Sequence, residues 1–281
     1  MEVQWYPGHM TKAKREMQND LKLVDLIIEI VDARIPRASR NPDISELGKQ
    51  KARMILLNKA DLADPSATER WITAFEEQGY AVASTDARAN RSLKAVRAAI
   101  DKACREKIER DRKRGILNRP IRAMVAGIPN IGKSTFINSF AGKAVAKTGN
   151  KPGVTKGRQW IRLDSHVELL DTPGILWPKF EGKQVGLFLA LTGSIKEEVL
   201  NTEELALQLI TLLQADYPGV LDRKYQAVES EQPEETLKKI AENRGCQKKG
   251  NEIDCQRAAK LLLDDFRNGR VGRITLEMPK E

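Results

Sequence analysis

The chain is poor in sulfur and in imidazole. Three cysteines, Cys104, Cys246 and Cys255, stand among 281 residues with no C-x-x-C spacing. An odd, sparse set of this kind argues against a disulfide framework or a zinc site. The two histidines, His9 and His166, lie far from the Cys246/Cys255 pair and do not complete a metal cluster with it. Long apolar runs are also missing. None approaches the roughly 20 residues needed to span a bilayer, which excludes a membrane partner on this reading. The opening Met1-Glu2-Val3-Gln4-Trp5 has neither the apolar core of a signal peptide nor the Arg/Ser-rich character of a transit peptide. A cytoplasmic location is expected.

Acidic residues are in deficit. The chain carries 48 Lys and Arg against 39 Asp and Glu, a net charge of +9, and a basic surface of this size favours polyanions, chiefly nucleic acid. The excess is not spread evenly. From Lys143 to Arg162 there are six basic residues and no acid, and from Asp101 to Arg122 nine basic residues stand against four acids. Blocks of this kind read as binding surfaces more readily than as scattered solubility charge.

Apolar runs of strand length recur at Leu26–Asp32, Met54–Asn58, Tyr80–Ser84, Ile121–Ala126 and Val167–Asp171. They alternate with helical stretches at Ala67–Gln78, Ser92–Lys113 and Lys133–Ala141, and a short amphipathic helix is expected over residues 10–23. Buried parallel strands separated by helices predict an α/β sheet with helices on both faces. Beyond Trp177-Pro178 the pattern turns helical, with Glu203–Ala215, Glu234–Asn243 and Ile253–Asn268. The division expected is therefore an α/β domain over 1–178 and a smaller all-α domain over 179–281.

Three motifs carry the chemistry. Gly127-Ile128-Pro129-Asn130-Ile131-Gly132-Lys133-Ser134 fits the phosphate-binding loop G-x-x-x-x-G-K-[ST], placed as it should be between a strand and a helix. Its backbone N–H groups, Ile131, Gly132 and Thr135 among them, would cradle β- and γ-phosphate oxygens at a helix N-terminus. Lys133 would neutralise the phosphates and Ser134 would ligate magnesium. Asp171-Thr172-Pro173-Gly174 has the D-x-x-G form: Asp171 would hold magnesium through a water, and Gly174 would offer its N–H to the γ-phosphate. Between them, Pro152-Gly153-Val154-Thr155 is the candidate first switch, with Thr155 completing the magnesium shell.

Asn58-Lys59-Ala60-Asp61 has the N-K-x-D form that reads guanine. The Asp61 carboxylate can accept from N1–H and N2–H₂. Adenine lacks that donor pair and would leave the carboxylate unmatched, a discrimination of several kcal/mol. The stem of Lys59 can pack on the base. Ser84 and Thr85, after the next strand, are where an N–H toward the guanine oxygen would come from.

The order is unusual. The base reader normally follows the other two motifs, and here it precedes both. A sheet is held by side-by-side packing, so original termini that lie close can be joined and new ends opened in a surface loop. The fold expected is thus a circularly permuted P-loop GTPase domain. Its D-x-x-G loop leads straight into the helical region, so hydrolysis should shift that region or its linker.

The catalytic group is harder to place. Ras-like enzymes follow D-x-x-G with a Gln that orients the attacking water, but here the residue is Ile175, which cannot hydrogen-bond. His9, in the turn Trp5-Tyr6-Pro7-Gly8-His9-Met10, is the candidate for placing the water, with Lys133 and Thr155 as the other catalytic groups. His166 falls in an expected hairpin turn. Asn130 can help hold potassium beside the phosphates, supplying charge that an arginine finger would otherwise bring.

The permuted order, the opening Trp5-Tyr6-Pro7-Gly8-His9-Met10, Asp32-Ala33-Arg34-Ile35-Pro36 after the first strand, and the phosphate loop together resemble the ribosome biogenesis GTPase A family. The resemblance covers the whole chain, with its specificity in the first 178 residues. It implies a GTPase assisting late maturation of the large ribosomal subunit, binding when GTP-loaded and released on hydrolysis. It also fits a hydrophobic residue after D-T-P-G, and it implies RNA contact through the helical region. The partners implied are GTP/GDP, the large-subunit precursor and its rRNA, and not DNA; the cofactors are Mg2+ and, through Asn130, K+. Residues 232–281 hold eleven basic and nine acidic residues, so RNA contact is expected to lean more on the basic blocks of the α/β part. A GTPase signalling to a protein effector is the second reading. An RNA-modification factor is the third, and no constellation for methyl transfer or redox chemistry supports it.

Overall fold

The computed structural model describes residues 17–86, 93–116, 119–142, 159–163, 166–172, 182–195 and 201–279. Six strands form one sheet: β1 (Leu26–Asp32), β2 (Ala52–Asn58), β3 (Ala81–Thr85), β4 (Ile121–Ala126), β5 (Gln159–Arg162) and β6 (Val167–Asp171). Ten helices accompany them among the described residues: α1 (Pro42–Leu47), α2 (Pro65–Glu77), α3 (Leu93–Ala103), α4 (Arg105–Lys113), α5 (Lys133–Ala141), α6 (Lys183–Leu191), α7 (Thr202–Asp216), α8 (Val220–Tyr225), α9 (Pro233–Asn243) and α10 (Cys255–Arg267).

The strand order is β3-β2-β1-β4-β6-β5, parallel throughout except for β5, which runs antiparallel to β6 at the edge. The chain therefore builds outward from β1 in one direction, then returns to its other side: Leu26 lies opposite Ala52 on β2 and Ala123 on β4. This reversal between β1 and β4 makes a topological switch point, where α/β sheets open a crevice beyond the strands' carboxyl ends.

β1 is buried on both faces, which is why it reads as an unbroken apolar run. Leu26, Ile28 and Ile30 face one side with Met54, Leu56, Ala123 and Val125, covered by Val96 and Ile100 of α3 and Phe136 and Ile137 of α5. Ile27 packs on the opposite side with Ile44 of α1, and Val31 with Trp71 and Phe75 of α2. Met17 and Leu21, in a helical stretch at residues 17–21, join the Ile27 cluster.

Several helices start as their sequence dictates. Asn41 and Asp64 cap α1 and α2 through their side chains, each followed by a proline at the first turn, and Asn201 and Asp254 cap α7 and α10. The stretch expected as one helix over 92–113 is two. It breaks at Cys104, whose backbone (φ −101°, ψ 11°) leaves helical geometry between the two. β5 and α6 complete the elements; β5 is four residues long, with Ile161 buried between Trp160 and Arg162, and of the expected turn after it Asp164 and Ser165 lie outside the described residues while His166 is exposed. α7, α9 and α10 pack on one another through Leu209, Leu213, Ile240, Leu262 and Phe266, a core continuous with the sheet's. No described helix is long and apolar enough to cross a membrane.

Candidate active site

The carboxyl ends of β1, β2, β4 and β6 bring Asp32, Asn58, Gly127 and Asp171 to one edge of the sheet. The phosphate loop crosses there from β4 to α5. Gly127 is required by space: a Cβ would stand 2.7 Å from the Ile30 carbonyl oxygen. Gly132 caps α5 in the left-handed region (φ 95°), and a Cβ there would overlap Asn58 Nδ2. No side chain caps α5, unlike α1, α2, α7 and α10. Its leading N–H groups, those of Lys133, Ser134 and Thr135, are left to an anion, which the helix terminus favours.

Lys133 is buried and folds back over the loop, donating from Nζ to the carbonyls of Gly127 (3.1 Å) and Ile128 (2.8 Å). Burial pulls its pKa down to about 8, against the opposing effect of the Asp171 carboxylate. The ammonium is thus held on the loop's own carbonyls with Asp171 as its counter-charge, and a triphosphate in the loop would supply further negative charge. Asp171 is buried at the end of β6, and Thr172 beside it donates to the Val125 carbonyl at 2.7 Å, pinning β6 to β4. Ser134 and Asp171 offer a hydroxyl and a carboxylate, hard oxygen donors that suit magnesium. They are the residues that would hold it, and when bound it supplies charge neutralisation at the phosphates.

The base reader is joined to the phosphate loop. Asn58, 1% exposed, donates from Nδ2 to the Ile131 carbonyl at 2.7 Å. Lys59, at φ 59°, donates from Nζ to the Asn130 carbonyl at 3.1 Å and pairs with Asp32 at 2.9 Å. Asp61 follows, half-buried. The Ala60 N–H donates to the Thr85 carbonyl at 3.2 Å, which sets the end of β3, with Ser84 and Thr85, beside the reader. The permuted order therefore does not separate the two motifs in space.

Asp32 and Arg34, which in sequence carry only the family resemblance, have a structural role. They form a fully buried bidentate pair, Arg34 Nε and Nη2 to the Asp32 oxygens at 2.9 and 2.8 Å. Burial pushes the Asp32 carboxyl up, but the charges and hydrogen bonds of Arg34 and Lys59 outweigh it and hold the group well below the usual carboxylate range. Arg34 also reaches the Arg267 carbonyl at 3.3 Å and lies over the Phe266 ring. The available signal was an acid ending an apolar strand with an arginine two residues on. Asn130 differs from expectation in its contact: its Nδ2 donates to the Gly193 carbonyl at 3.0 Å, beyond α6. His9, Thr155 and Gly174 lie outside the described residues.

A P-loop cradle, a guanine-reading turn bound to it and a carboxylate beside the lysine define a P-loop GTPase. A family model described as "50S ribosome-binding GTPase" matches residues 122–247. The match starts within β4 and leaves out Asn58–Asp61. Over its whole length the chain is 46% identical to "Ribosome biogenesis GTPase A" of Bacillus cereus, covering 95% of that protein. It is 32% identical to the protein of that name from Thermotoga maritima over 99% of this chain and 95% of that one. The chain belongs to the ribosome biogenesis GTPase A family, and the reaction it catalyses is GTP hydrolysis. Among solved structures it is similar to GNP-bound YlqF from T. maritima, with a TM-score of 0.68, 29% identity, and 96% of this chain and 99% of that one covered. It is likewise similar to GDP-bound TM YlqF, with a TM-score of 0.71, 28% identity, and coverage of 95% and 100%.

Proposed function

We propose that this GTPase is a cytoplasmic assembly factor. It binds the precursor of the large ribosomal subunit, through rRNA, in its GTP state and leaves on hydrolysis. The observation that carries the reading is the joined phosphate and guanine site in a chain whose full-length relatives bear the name of ribosome biogenesis GTPases. RNA contact is supported by an exposed basic surface: Arg105, Arg110, Arg112, Lys113, Arg114 and Arg119 along and after α4, with Arg122 and Arg162 on the sheet. Trp160, 39% exposed, lies against Arg122, with the guanidinium carbon 5.2 Å from the ring centre. An exposed ring beside cations suits an unstacked base.

In this reading residues 1–178 are the GTPase domain and 179–281 the helical domain that responds to it. Ser134, Thr155 and Asp171 hold magnesium. Asn130 lends its side-chain oxygen to potassium while its amide keeps the Gly193 contact. Gly174 senses the γ-phosphate, and His9 places the water that Ile175 cannot. The test is GTP hydrolysis in potassium at fixed salt with purified large or small subunits. Many-fold stimulation by the large subunit alone is expected, with association that weakens steeply as salt rises. A GTPase that binds nucleotide yet responds to neither particle would refute the proposal in favour of a protein effector.

A further inference from the structure

The residues around Asp61 are held by the far end of the chain. After α10 the backbone runs back along the base-reading turn as a strap over residues 269–277. Arg273 donates from Nε to the Ala63 carbonyl and from Nη2 to the Ala60 carbonyl, both at 3.0 Å. The Ile274 N–H donates to the Leu62 carbonyl at 3.0 Å, and the Asp64 N–H donates to Thr275 Oγ1 at 3.0 Å. Gly269, at φ 71°, lies so close to Leu62 that a Cβ would meet its Cδ2 at 2.7 Å. The strap is itself anchored: Leu276 N–H donates to the Arg34 carbonyl at 2.8 Å, and the Glu277 carboxylate accepts from the Arg37 and Ala38 N–H groups at 2.8 and 2.9 Å.

The turn needs this support. Ala60 and Ala63, on either side of Asp61, have methyl groups too small to wedge the loop, and of the two only Ala63 is buried. A carboxylate that must meet two N–H groups of a base has to be held to about 0.5 Å. Three carbonyls flanking Asp61, those of Ala60, Leu62 and Ala63, are bonded by the strap. We infer that Arg273, with the strap that carries it, is a positioning residue for guanine specificity, setting the Asp61 carboxylate against the base from more than 200 residues away in sequence. The inference rests on reading Asp61 as the base reader.

The experiment measures GDP and IDP affinity, since the inosine base lacks the exocyclic amine, together with inorganic pyrophosphate as a probe of the phosphate loop alone. Arg273→Ala should lower the GDP-over-IDP preference by about tenfold, the scale of a degraded hydrogen bond to a specificity group, with pyrophosphate affinity unchanged. Arg273→Lys, with one donor centre in place of the fork, should fall between. Thr275→Val, which removes the acceptor for Asp64, should move the preference the same way and serves if Arg273→Ala does not fold. Asp61→Asn is measured in parallel. Loss of GDP preference in Asp61→Asn with none in the Arg273 and Thr275 variants would overturn the inference and leave the reading of Asp61 standing. Unchanged preference in Asp61→Asn would remove that reading and the inference with it. A fall in pyrophosphate affinity as large as that in GDP affinity would show general loosening and would also overturn it.

Discussion

Replacing Arg34 with methionine should be among the most damaging single changes to stability in this chain. Arg34 is 1% exposed and Asp32 0% exposed, joined by bonds of 2.9 and 2.8 Å. Removing one member of a buried pair leaves a charge in low dielectric and costs about 3–5 kcal/mol. Lys59 remains at 2.9 Å from Asp32, so the lower end, about 3 kcal/mol, is expected. Against a total of about 5–15 kcal/mol this is a large fraction, and it corresponds to a fall in Tm of roughly 6–12 °C for a chain of this size. The pH dependence has a definite sign. The folded pKa of Asp32 is depressed below its ordinary 3.8, so its contribution is present above that value and lost as pH falls through the folded pKa. In Arg34→Met the carboxyl is less depressed, so acid unfolding should begin at higher pH than in the native chain. Removing both charges with Asp32→Asn/Arg34→Met should recover part of the loss, since no buried charge is left uncompensated. Urea unfolding at pH 7 and at pH 4 measures all of this. A cost under 1 kcal/mol for Arg34→Met, or a double variant as unstable as the two single losses added, would refute the argument.

Other outcomes follow from the same geometry. Gly132→Ala must place a Cβ on Asn58 Nδ2 at a backbone φ of 95°; it should abolish measurable GDP binding while the far-UV circular dichroism spectrum stays native. The Lys133 pKa of about 8 in the free protein should rise when phosphates bind, so nucleotide affinity should be full below pH 8 and decline above it; calorimetry at pH 8 in buffers of different ionisation enthalpy should show proton uptake. Asp61→Asn exchanges an acceptor for a donor, so preference should pass from GTP to XTP, whose base presents a carbonyl where guanine presents an amine; competition binding reads the switch. His9→Ala should reduce particle-stimulated turnover by about 10²-fold or more with GTP affinity unchanged, and hydrolysis should be faster in potassium than in sodium. Equal turnover would remove His9 from the catalytic groups, and equal rates in the two salts would remove potassium.

The parts of the fold that were legible in the sequence are those whose information is local. β1, β2 and β4 show as apolar runs because both faces are buried, and the phosphate loop shows because only glycine fits at Gly127 and Gly132. The start of α5 at Lys133 follows from the motif, and its extent to Ala141 from the helical stretch that continues it. What was hidden depends on partners distant in the chain. β5, with Gln159 and Arg162 in four residues, has no apolar pattern and exists by pairing with β6. The break at Cys104 leaves no mark in the helical spacing on either side. The strap has no periodicity at all, since Arg273 and Ile274 act on backbone carbonyls that carry no residue code. Asn130 was read toward the phosphates by its place in the loop, and nothing near it in sequence signals Gly193.

The position of β1 has a consequence for how the protein is made. In the finished sheet β1 is an inner strand, paired with β2 on one side and β4 on the other. During synthesis β1, β2 and β3 emerge together and can pair at once, but β4 begins only at Ile121. Until then this apolar strand is an open edge, with the N–H and C=O groups on its β4 side unmatched and Ile27, Ile28, Ile30 and Val31 at the border. A nascent chain in this state is a template for wrong pairing. The reordering that puts the base-reading half first thus decides which strand waits as the open edge, β1 here and the phosphate-loop strand β4 in the ordinary order, and the yield of folded protein should depend on how quickly residues 60–120 are translated or shielded.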